Sequence, residues 1–133
     1  MPWTAQELAV KDLLLDLRLP FEARHVFELA DSTRLSIDFL IFAGPGVALE
    51  CTSCTKRRGS AMAEVRRRSA YLDYRFSLLK KFLPNILCAA LVEAPREDQA
   101  RVSEAVASIL RNWNLVATSV ATLRGGLARL VRA

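Results

Sequence analysis

Two carboxylates interrupt stretches that are otherwise apolar. Asp38 stands within Leu35-Ser36-Ile37-Asp38-Phe39-Leu40-Ile41, and Glu50 within Val47-Ala48-Leu49-Glu50-Cys51-Thr52. A carboxylate buried alone is costly, so each needs a partner. Gly44-Pro45-Gly46 lies between the two stretches and signals a turn, which makes them the arms of a hairpin. If Asp38 faces Glu50, paired positions sum to 88 and the loop is Ala43-Gly44-Pro45. Opposed residues share a face, with Cβ atoms about 5 Å apart. Two anions this close repel unless a cation lies between them, and a divalent metal with hard oxygen ligands and completing waters is the economical choice. The other readings are an arginine beside each carboxylate, an exposed strand end, or a loop one residue longer, which would put the two on opposite faces.

Other chemistry finds less support. The cysteines are Cys51, Cys54 and Cys88, an odd set, and Cys51-Thr52-Ser53-Cys54 lacks the second ligand pair that a zinc site needs. The single histidine, His25, falls in a strand-like segment with no orienting group in view. Reduced structural thiols are expected. No nucleophile elbow, P-loop or dinucleotide fingerprint occurs.

The elements that would hold Asp38 and Glu50 follow from periodicity. Thr4-Ala5-Gln6-Glu7 forms a capping box and opens a helix that Leu19-Pro20 closes. Phe21 to Leu29 alternates, which puts Phe21, Ala23, His25, Phe27 and Leu29 on one strand face. Strands over Leu35–Phe42 and Val47–Thr52 follow. A helix from Gly59-Ser60 to Leu83 buries Met62, Val65, Ser69, Leu72, Phe76, Leu79 and Leu83, with Arg66, Arg67, Tyr71, Tyr74 and Arg75 on its flanks. Ile86 to Val92 is a strand covered on both faces. A helix then runs from beyond Pro95 to Trp113, a strand over Leu115–Val120, and a closing helix over Leu123–Val131. The order predicts one α/β domain over residues 1–133, with a mixed central sheet flanked by helices.

Composition agrees with a packed core, at 133 residues, 52% hydrophobic and 25% charged. No apolar run reaches the roughly 18 residues a bilayer requires, and Met1-Pro2-Trp3-Thr4 does not open a signal peptide. A cytoplasmic protein with no membrane partner is expected. Charge is uneven: from Thr55 to Phe82, nine basic residues face two acidic ones, so this segment carries +7 while the whole chain carries +5. Such concentration suits a phosphate-bearing partner, with a solvated helix face as the plainer reading. Arg57, Arg58, Arg66, Arg67, Tyr71 and Arg75 are the candidate nucleic-acid contacts. Tyr71 and Tyr74 either stack bases or pack at the edge of the core, and the second placement is expected.

The Asp38 strand, the Glu50-Cys51-Thr52 triplet across a hairpin and the basic helix that follows resemble the PD-(D/E)XK nuclease superfamily. The resemblance in element order covers roughly residues 4 to 93. It implies a restriction-endonuclease-like αβββαβ core and Mg2+- or Mn2+-dependent hydrolysis of DNA phosphodiesters. It also implies catalytic roles for Asp38 and Glu50, and metal ligation by both with the Cys51 carbonyl. Glu7 matches a first-helix acid that some members add as a ligand, although the capping box competes for it. Ile37 stands at the proline position and Thr52 at the lysine position. Lys56 or Arg67 is the expected substitute cation, with Lys56 the catalytic candidate. Arg67 and Tyr71 match the spacing of a Gln and Tyr on that helix in RecB-like members, with Arg for Gln. The alternatives are a binding module of nuclease fold without chemistry, and a scaffold or subunit whose arginines meet an acidic protein. Leu127, Leu130 and Val131 are the residues that would support a homodimer.

Overall fold

In the computed structural model, which describes residues 2–55, 60–95 and 99–132, the expected element order is present. Helix α1 (Ala5–Asp16) is followed by β1 (Phe21–Glu28), β2 (Arg34–Ile41), β3 (Val47–Ser53), α2 (Ser60–Phe82) and β4 (Leu87–Glu93). Helix α3 (Gln99–Ile109), β5 (Leu115–Ala117) and α4 (Val120–Leu130) complete it. The five strands form one sheet in the order β1-β2-β3-β4-β5. Short turns make β1, β2 and β3 antiparallel, while the helical crossovers α2 and α3 make β4 and β5 parallel to β3. The protein is therefore α/β, with a mixed sheet flanked by helices.

The sheet has a core on each face. One contains Met62, Val65, Leu72, Phe76 and Leu79 of α2 with Val102 and Val106 of α3, over Ala48, Cys88, Ala90 and Val92. The other contains Val10, Leu13 and Leu14 of α1 with Leu123 and Leu127 of α4, over Phe39, Val47, Leu49, Ala89 and Leu91. Strand β4 is buried from Cys88 to Val92, which explains its unbroken apolar sequence. The α2 stripe is buried from Met62 to Leu79 as its spacing predicts, with Leu83 partly buried past the helix end. Helix α3 ends at Ile109 rather than at Trp113, and Trp113, just beyond it, ties this end to α2 by donating its indole N–H to Asp73 at 2.9 Å and setting its ring edge-on to Phe76.

Other expectations change as well. The β2–β3 register does sum to 88, but the ladder stops at Ile41↔Val47, so the loop is residues 42–46. Gly44 and Gly46 hold φ of 54° and 100° in it, a region glycine enters without a Cβ clash. The last strand ends at Ala117 and α4 begins at Val120, because the Ser119 hydroxyl accepts the Thr122 N–H and starts the helix there. The odd-numbered residues of β1 do not share one face: Phe21 and Ala23 pack with α1 and α4, whereas Phe27 packs with α2. The switch falls at Arg24, whose φ is 54° and whose pairing with β2 is missing from an otherwise continuous ladder. Finally, Leu127 is fully buried in the chain's own core and is unavailable to a second copy.

Candidate active site

The position opposite Arg24 in the β1–β2 register is Asp38, so the bend in β1 lies beside the first carboxylate. On its other side, β2 leaves the β3 ladder beyond Phe39↔Leu49. The two carboxylates take over the bonding there. Asp38 donates its backbone N–H to Glu50 Oε1 at 2.9 Å, and Cys51 donates its backbone N–H to Asp38 Oδ2 at 2.7 Å. Both acids thus sit in the seam between the strands, held by main chain, and the expected juxtaposition is present.

Burial raises both acids. Desolvation lifts Asp38, outweighing the Cys51 N–H, and the Glu7 charge adds to the lift. Desolvation also lifts Glu50, with the Asp38 charge next. Two carboxylates about 5 Å apart repel by roughly 3 kcal/mol at an effective dielectric near 20. A cation at similar range returns about that much, and the described residues bring Arg75 to both acids and Arg24 to Asp38.

The cation on Glu50 is Arg75. Its Nε lies 2.6 Å from Glu50 Oε2, and its Nη2 donates to the Ser36 carbonyl. Ser36 would face Thr52 if the ladder continued, so Arg75 serves an acceptor that the parting of the strands leaves without β3. Burial works against the arginine's charge, but Glu50 more than compensates and its pKa rises. The guanidinium also lies 5.6 Å from the Tyr71 ring centre. The arginine reading of the Glu50 partner therefore holds for this acid, and Arg75 is engaged here rather than projecting freely.

Thr52, two residues beyond Glu50 on the same strand face, meets another α2 residue. Arg68 Nη1 donates to Thr52 Oγ1 at 3.1 Å. Sequence reasoning named Lys56 or Arg67 for this neighbourhood and passed over Arg68. The available signal was helical: Glu64, Arg68, Tyr71 and Arg75 recur at spacings of four, three and four, a stripe beside the buried one. Arg66 and Arg67 are exposed on α2. Tyr71 and Tyr74 are exposed too, at 58% and 62%, and do not pack at the core edge. Lys56, Arg57 and Arg58 lie outside the described residues.

No protein-family model, curated protein or solved structure matches the chain. Function is read from side chains alone.

At the N-terminus of α1, Thr4 and Glu7 form the capping box, with Thr4 N to Glu7 Oε1 at 2.9 Å and Glu7 N to Thr4 Oγ1 at 3.1 Å. Glu7 also faces Arg24 at 3.7 Å. Next to it, Gln6 Nε2 bridges the Thr52 carbonyl and Glu93 Oε1, at 2.9 and 3.0 Å. These contacts pin α1 to the end of β3 and set Glu7 close enough to raise Asp38. Among the described residues, no three acidic, histidine or cysteine side chains gather at one point. The donor set that does exist, two carboxylates, suits Mg2+ or Mn2+, which commonly take one or two protein carboxylates with waters and substrate phosphate. The thiols add nothing to it: burial pushes Cys51, Cys54 and Cys88 up, Cys88 to about 11, and all three are free.

Proposed function

We propose that the chain is a metal-dependent nuclease with a restriction-endonuclease-like core, acting on phosphodiester bonds of DNA. The observation that carries this reading is the seam: a buried Glu50 beside a half-buried Asp38, each fastened by a backbone N–H, with Arg75 on Glu50 and the Arg24 charge on Asp38, and both acids still raised. A structural role alone would favour neutral or fully paired groups in that position, since unpaired buried charge is destabilising. The antiparallel β1-β2-β3 meander, the α2 crossover and parallel β4 also follow the αβββαβ order of the superfamily that the sequence resembles.

Asp38 and Glu50 would hold the ion. Magnesium or manganese there would supply an activated water and would neutralise charge on the phosphate. Arg75, which now pairs with Glu50 Oε2, would serve as a donor to a substrate phosphate, for which a guanidinium is well suited. The exposed arginines and Tyr71 and Tyr74 of α2 extend a basic, base-stacking face for the strand.

A second reading is favoured by one observation. Arg75 closes on Glu50 in place of an ion, as it would in a nucleic-acid-binding module without chemistry. Cleavage of labelled single-stranded, duplex and four-way-junction DNA with Mg2+ or Mn2+ separates the two. Metal-dependent cutting by wild type that Glu50→Ala abolishes is the expected result. Equal, salt-sensitive binding by both proteins without cutting by either would select the binding module.

A further inference from the structure

Arg68 is anchored on one side and open on the other. Its Nη1 bonds the Thr52 hydroxyl at 3.1 Å and its Nε lies 3.8 Å from Glu64 Oε2. Thr52 and Glu64 are buried, whereas the Arg68 side chain is 46% exposed. A guanidinium carries five N–H donors, and these two contacts engage two of its three nitrogens. The Arg68 charge offsets the buried Glu64 carboxylate, and that pairing by itself needs no buried hydroxyl on β3. The threonine fixes where the charge stands.

That place is next to the seam. Thr52 and Glu50 share a face of β3 and are about 7 Å apart along the strand. Arg75 and Arg68 reach β3 from positions seven residues apart on α2, about 10 Å along its axis, with exposed Tyr71 between them. Arg75 is turned inward to Glu50 and the Ser36 carbonyl. On the α2 side of the carboxylates, Arg68 thus keeps a solvent-facing surface while its position is held.

We propose that Arg68 is the phosphate anchor of this site, binding a nonbridging oxygen of a DNA phosphodiester laid over Asp38 and Glu50, with Thr52 as the residue that positions it. The identity of the ligand rests on the nuclease reading; the anchor itself is a property of α2 and β3. A planar fork of donors suits a phosphate, and it keeps its charge at any working pH.

The test is equilibrium binding of fluorescent single-stranded and duplex DNA, and of RNA of the same sequence, in EDTA across a salt series. Wild type is compared with Arg68→Gln, Arg68→Lys, Thr52→Val and, as a remote control, Arg111→Gln. Arg68→Gln is expected to weaken DNA binding about tenfold and to lower the slope of log affinity against log salt by about one. Arg68→Lys keeps the slope. Thr52→Val keeps it as well, because the charge remains, while affinity falls severalfold as the guanidinium loses its fixed place. Arg111→Gln leaves both unchanged. An unaltered slope in Arg68→Gln, or an equal fall in Arg111→Gln, overturns the proposal. The same Arg68 dependence with tighter RNA binding supports the anchor and overturns DNA as its ligand. Cleavage with Mn2+ is scored separately, so a wild-type protein that binds through Arg68 and never cuts overturns the nuclease reading while the anchor stands.

Discussion

At the scale of single residues, the site sets charge against burial, and among the described residues burial outweighs the nearby arginines. Asp38 and Glu50 both have raised pKa values, chiefly through desolvation, so the folded protein favours their protonated forms. Stability from this source is fully present below their ordinary values of 3.8 and 4.5 and is lost as pH rises through the raised folded values. Asp38→Asn removes one ionisation and the Glu50 repulsion while keeping an acceptor for the Cys51 N–H. The variant is expected to be more stable than the metal-free wild type at pH 7 by about 1 kcal/mol, an exchange of function for stability. The gap should narrow as pH falls toward 4. Thermal melting across that range measures it, and added Mn2+ should raise the midpoint of wild type alone. A variant less stable than wild type at neutral pH would show that the Asp38 charge is already compensated.

Among the elements, α2 and β3 matter most because each residue of the site is placed by one of them or by the hairpin partner β2. The α2 heptad-like spacing was readable in the sequence and so was its buried stripe, since apolar periodicity reflects one packed face. Its second stripe, Glu64-Arg68-Tyr71-Arg75, was not singled out, because charged residues look alike until the neighbouring strand is known. Helix α4 gives a sharper case of the same limit. Gly125 and Gly126 are adjacent in it, yet a Cβ at Gly125 meets nothing within 4 Å, whereas one at Gly126 falls 2.2 Å from Leu115 Cδ1 and 3.2 Å from its Cγ. Gly125→Ala should therefore stabilise the protein by about 0.5–1 kcal/mol through helix propensity. Gly126→Ala should destabilise it by about 1 kcal/mol, as crowding against β5 exceeds that gain. Denaturant midpoints of the two variants check both, and like signs would refute the close approach of α4 to β5.

For the molecule as a whole, the sheet sets a gradient of stability. Strands β3 and β4 pair along their full lengths and lie under helices on both faces, while β1 pairs only with β2 and the short β5 only with β4. Native-state amide exchange is expected to be slowest in β3 and β4 and faster in β1 and β5, with exchange of β5 as slow as β4 counting against this order. No described helix is long and apolar enough to cross a membrane. The sequence by itself determined the element order, the α2 core stripe, and the glycine-proline turn between β2 and β3, and it offered the register, summing to 88, that the structure adopts. These depend on local signals: apolar period, glycine and proline punctuation, and the alternation of a strand. The tertiary structure alone decided that the seam opens beyond Phe39↔Leu49, that Arg75 closes on Glu50, that Arg68 rather than its neighbours reaches Thr52, and that Tyr71 and Tyr74 face solvent. Each of those depends on the distance and angle between a helix and a strand far apart in the chain, and a side chain's partner is fixed only when that packing brings the two together.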